Sequence, residues 1–173
     1  VARLTVDTQE LNNICKLLKD SIREFYDKDK NLVCRDSQPL RGMERSCAFR
    51  IGHYLCKRVE SPEFQFYNVD MEYNRNGHDS KRIDDDKNGV QPDLIVHRRG
   101  ENEHNLLVVE FKYGAGNDIS KSDVYKLEGF TEQSGKYKYK LGIWVGLSND
   151  FDSVDFRYFQ NGERCHKFLD CAR

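Results

Sequence analysis

The chain has no excess of charge of either sign: 28 lysines and arginines stand against 29 aspartates and glutamates, for a net charge of −1 over 173 residues. A global positive field is thereby excluded, so any nucleic-acid binding must use a local basic surface. No apolar run approaches the length of a membrane span, and no targeting peptide is evident, so no membrane partner is expected. Six cysteines are present, but no CxxC pair occurs and no secretory apolar segment precedes them. Cys47 and Cys56 fall on different sides of one expected helix, too poorly placed to bridge each other. Reduced, mostly buried thiols in a cytoplasmic protein are the expectation. HExxH and Cys/His metal spacings are missing as well. Repeats, low-complexity tracts and convincing domain boundaries are absent, and the length fits one domain over residues 1–173.

What is present begins with helical periodicity. Leu11, Ile14, Leu18, Ile22 and Phe25 form an apolar stripe on a helix expected from Thr8 to Lys28, with Asp7 and Glu10 as a capping box. A polar linker ends at Pro39, and a second helix runs from Arg41 to Glu60, stopped by Ser61-Pro62. Phe64 to Asn74 reads as a strand, and residues 75–89 as a mobile loop. Strands at Pro92–Arg98 and Asn105–Tyr113 flank the turn Arg99-Gly100-Glu101-Asn102. A helix from Ser120 to Ser134 shows Val124, Leu127 and Phe130 on its apolar side. Further strands are expected at Tyr137–Leu147 and Phe151–Phe159, with no clear signal in the tail from Gln160. The expected architecture is therefore α/β: N-terminal helices over 7–60, a core over 64–147, and a C-terminal strand and tail over 151–173. Short turns make the first three strands an antiparallel meander, and the crossover helix makes the fourth parallel. The result is a mixed sheet with helices on its faces.

Glu110 and Lys112 close the apolar run Leu106-Leu107-Val108-Val109 and emerge on one face of their strand. Buried charge of that kind is costly unless it is paired or binds something. If the turn centres on Glu101 and Asn102, residues that pair across it have numbers summing to about 203, which sets Asp93 opposite Glu110 with Cβ atoms about 5 Å apart. Two carboxylates so placed can share a hard divalent ion, magnesium or manganese, with the Phe111 carbonyl as a further ligand. Lys112 is then positioned to orient or deprotonate a water, or to stabilise charge at phosphorus. Metal-assisted phosphodiester hydrolysis needs this set. A slip of one residue would turn Asp93 to the other face.

Other charged residues flank this core. Glu44 leads the stripe Ala48, Ile51, Leu55 on the second helix, where it either caps the first turn or points into the site. Asp70 and Glu72 end the first strand beside Asp93; a structural salt bridge is favoured for Asp70, while Glu72 is evenly balanced between salt bridge and site. His78, Lys81 and Arg82 lie on the loop at the rim, as substrate contacts or as solvated side chains. Lys136, Lys138 and Lys140 alternate with tyrosines, so they would line one face of a strand, touching phosphates or simply solvated. His97 shares the face of Asp93, with a structural role favoured. Gly114-Ala115-Gly116 reads as a tight strand-to-helix turn, because Ile119 stands where a dinucleotide fingerprint has its last glycine.

Glu44, Pro92-Asp93 and Glu110-Phe111-Lys112, followed by a helix and a strand, resemble the PD-(D/E)XK nuclease superfamily over Arg41 to Leu147. Residues 69–75, 97–100 and 123–127 look like segments of small, largely uncharacterised bacterial members. The resemblance implies a restriction-endonuclease-like fold, metal binding by Asp93 and Glu110, catalysis by Lys112 and an auxiliary acid at Glu44. It further implies hydrolysis of DNA in defence or repair. A domain of this size has little room for a recognition module, so a second copy or a protein partner would supply specificity. The competing expectations are a non-catalytic module that binds nucleic acid or protein, and a buried salt-bridge network in which Lys112 neutralises the carboxylates.

Overall fold

A computed structural model describes residues 8–73, 83, 90–114 and 118–165. Asp7, the rim residues His78, Lys81 and Arg82, the rest of the expected loop apart from Ile83, Ala115-Gly116 and the last residues of the tail lie outside that set. Helix α1 spans Thr8–Asp29 and buries the expected stripe. The expected capping box includes Asp7 and so lies outside the described residues; the Glu10 carboxylate accepts from the Tyr67 hydroxyl and from Lys140 Nζ. A 3-10 turn, Lys30–Leu32, leads into a small hairpin of β1 (Cys34–Arg35) and β2 (Gln38–Pro39), where a linker was expected. Asp36 and Ser37 both take positive φ, the conformation of a two-residue hairpin turn. Helix α2 spans Glu44–Val59. It begins three residues late because Gly42, at φ +76°, breaks the helical path.

The main sheet contains six strands in sequence order: β3 (Asn68–Met71), β4 (Leu94–His97), β5 (Asn105–Tyr113), β6 (Leu141–Leu147), β7 (Asp155–Gln160) and β8 (Glu163–Cys165). The first three form the expected antiparallel meander. Helix α3 (Lys121–Thr131) then crosses over to make β6 parallel to β5. The chain is thus α/β with a mixed sheet in which a single pair is parallel. Leu94, Val96, Leu107, Val109, Phe111, Ile143 and Val145 face α1 and α2. Ile95, Val108, Trp144 and Phe159 face α3 through Leu127 and Phe130. Alternation along each strand therefore assigns Asp93 and Glu110 to the α3 side.

Three expectations need correction. Residues 64–67 are turn rather than strand, with Phe64 buried against the helices. Residues 137–140 are irregular, with Lys138 at φ +54°, so the lysines do not line a strand face. The region after Gln160 is not featureless: Asn161-Gly162, both at positive φ, turns the chain into β8. Among the described cysteines, none of which is in a disulfide, only Cys15 and Cys47 are buried, and Cys56 is exposed. No described helix is long and apolar enough to cross a membrane.

Candidate functional site

The site forms where β4 begins and β5 ends. Leu94 faces Val109, Ile95 faces Val108 and Val96 faces Leu107, after which a bulge at Val96/His97 shifts the register. The bulge lies on the turn side, so the expected register holds toward the site and its next pair is Asp93 and Glu110. Asp93 Oδ2 accepts from the Phe111 amide at 2.8 Å, which fixes its carboxylate beside β5. Glu110 is 1% exposed. Its Oε2 accepts from Lys126 Nζ at 3.0 Å, while Oε1 finds no donor among the described residues.

Helix α3 supplies two residues that the sequence reading did not place in the site, Asp123 and Lys126. Ser120 caps the helix through the Asp123 amide, at 3.1 Å. The Asp123 side chain is consequently free to turn inward, where it is buried. Its Oδ1 lies 3.9 Å from Lys126 Nζ, and its Oδ2 has no donor among the described residues. The signal was present in the sequence: Asp123 sits one turn before Leu127, on the face that packs against the sheet. Trp144, directly across from Glu110 on β6, walls the site on its other side.

Three carboxylates around one half-buried ammonium leave a local excess of negative charge. Burial pushes the Glu110 carboxyl up to about 8, with Asp93 adding to the rise and Lys126 opposing it. Burial also raises Asp93, against the pull of the Phe111 amide, Lys126 and Lys112. For Lys126 burial works against the charge, but Glu110, Asp123 and Asp93 outweigh it and raise its pKa. Among the described residues no three His, Cys, Asp or Glu side chains are gathered as a ready-made ligand set. Two orphaned buried carboxylate oxygens nevertheless suit a cation, since buried charge without a partner is costly. The donors are all oxygen, which fits magnesium or manganese.

Lys112 is exposed at the mouth, on the face of Glu110. Phe111, whose carbonyl was the further expected ligand, pairs with Val145 and has its amide committed to Asp93. Glu44 opens α2 and accepts from the Tyr113 amide at 3.4 Å. Alternate amides of a strand point to one neighbour, so Glu44 and Asp93 flank the same edge of β5. Glu72 follows β3 at φ +47°; its amide donates to the Asp93 carbonyl, but its carboxylate pairs with Arg45 at 2.6 Å. Asp70 takes the favoured structural role, bound by His97 Nε2 at 2.7 Å and Arg99 Nε at 2.8 Å. His97 is buried within that network and meets the Tyr73 ring edge-on. Lys138 is exposed in the irregular segment, and Lys140 is paired with Glu10 at 2.8 Å.

Comparison with known protein families, with curated proteins and with solved structures gives no match for this chain.

Proposed function

We propose that the protein is a divalent-metal-dependent nuclease that hydrolyses DNA phosphodiester bonds, built on a restriction-endonuclease-like variant of the mixed sheet. The observation that carries this reading is Glu110: a carboxylate at the sheet centre, 1% exposed, with one oxygen lacking a donor among the described residues and Asp93 set beside it. In this reading Asp93 and Glu110 hold magnesium or manganese, with the Phe111 carbonyl completing the set and Glu44 as an auxiliary acid. The bound ion would activate water and neutralise charge on the phosphate. Lys112, exposed at the mouth, reaches the phosphate oxygens and orients the attacking water. The water oxygen bonds to phosphorus and gives up a proton, the bond from phosphorus to the leaving sugar oxygen breaks, and that oxygen takes up a proton in turn. The near-neutral chain then depends on local lysines and arginines for contact with DNA, and on a second copy or a partner for sequence specificity. DNA defence or repair is the setting this chemistry fits.

One observation favours a second reading, a non-catalytic scaffold: Lys126 already pairs with Glu110, so the cluster could serve as a buried salt bridge. Cleavage of linear, circular and single-stranded DNA with magnesium or manganese separates the two. The nuclease reading expects metal-dependent cutting that is lost in Glu110→Ala and reduced at least about 100-fold in Lys112→Ala. Absence of both cutting and metal-induced stabilisation would leave the scaffold.

A further inference from the structure

Helix α3 brings Asp123 and Lys126 to the carboxylate pair on the sheet, and neither is used by the fold in the usual way for its position. An aspartate in the first turn of a helix ordinarily faces solvent and complements the helix dipole. Asp123 instead is 3% exposed, with Ser120 already serving as the cap and its own Oδ2 lacking a donor among the described residues. Lys126, one turn further, extends its ammonium between Glu110 and Asp123, at 3.0 and 3.9 Å. It stands where a cation shared by those two carboxylates would sit, yet its side chain remains 25% exposed and has a route outward.

We propose that Asp123 is a third carboxylate ligand for the divalent ion and that Lys126 is a mobile counter-charge, displaced by the ion onto the phosphate of the bound strand. The assignment rests on the metal-dependent reading above. It gives the site an ammonium additional to Lys112 and carried by a different element, so that docking of α3 on the sheet is part of assembling the site.

The test is a manganese titration of thermal stability, followed by DNA cleavage, for the wild type, Asp123→Asn, Lys126→Gln and Lys126→Arg. Circular dichroism checks that each variant is folded, with Asp123→Ser as the replacement should Asp123→Asn fail to fold. Asp123→Asn is expected to weaken manganese binding at least about tenfold, as loss of a charged ligand does. Lys126→Gln is expected to keep manganese binding within about threefold while cleavage falls about 100-fold, and Lys126→Arg to recover part of it. A purely structural ion pair would lower stability in Lys126→Gln but leave cleavage per folded molecule unchanged. Unchanged manganese binding in Asp123→Asn, or unchanged cleavage in Lys126→Gln, overturns the assignment while the metal-dependent reading stands. A wild type that gains no stability from manganese overturns both.

Discussion

Asp70, on the edge strand β3, and Glu110, near the sheet centre on β5, are carboxylates drawn onto the same side of one sheet, and they have met opposite fates. Asp70 is bound by His97 and by both ends of the Arg99 fork. Burial works against its charge, but Arg99 and His97 outweigh it and hold its carboxyl below the ordinary range. Glu110 shares one ammonium with Asp123, keeps an oxygen without a donor among the described residues, and is pushed up to about 8. Where donors outnumber carboxylates, the cluster is complete and serves the fold. Where carboxylates outnumber cations among the described residues, as around Glu110, a bound cation would complete the charge. That contrast, rather than acidity alone, separates a structural network from a candidate site.

The contrast should break most visibly in activity. Asp93→Asn removes a proposed ligand and should lower metal-dependent cleavage about 100-fold or more, measured as the initial rate of DNA nicking. Asp70→Ala should do the reverse: it removes the carboxylate shared by His97 and Arg99 and costs about 3 kcal/mol in urea unfolding, with manganese-induced stabilisation retained. A loss of manganese binding in Asp70→Ala would erase the distinction between the two clusters.

A pH titration of metal-free protein sharpens it. The folded pKa of Glu110, about 8, lies above the ordinary value of 4.5, so the folded state holds this proton more tightly than the unfolded state. Its contribution to stability is therefore full below about 4.5 and declines as pH rises through about 8. Asp70 has the opposite sign: its contribution is present above the ordinary aspartate range and is lost as pH falls through its lowered value. Urea midpoints across pH should show the alkaline-side loss disappear in Glu110→Gln and remain in Asp70→Asn. The smallest effect is expected at Lys138: exposed and outside any strand, it should change stability by less than about 0.5 kcal/mol on replacement by alanine.

Much of this geometry was legible because it depends on local patterning and on counting. Two continuous apolar runs joined by a short turn set the β4–β5 register well enough to oppose Asp93 to Glu110, and the bulge falls on the turn side. The helical stripe of α1 and the crossover by α3 were equally readable. What escaped were features set by backbone conformation or by long-range packing. Asp36-Ser37 has weak turn chemistry, so the β1–β2 hairpin left little trace; Asn161-Gly162 carried the standard hairpin signal and was overlooked. The alternation of lysine and tyrosine over 136–140 reflects two buried tyrosines packed on Phe130 rather than a strand. Helical spacing puts Asp123 on the packed face of α3 with Leu127, but the meeting of Lys126 with Glu110 spans separate elements and leaves no local pattern.

Whether the buried carboxylates around Glu110 form a cation site is read from thermal unfolding of the wild type and Glu110→Gln across a manganese titration. With a cation site, the wild-type midpoint climbs with the logarithm of manganese concentration once above the dissociation constant, and the Glu110→Gln midpoint stays flat. A flat wild type, or two proteins rising in parallel, would contradict it.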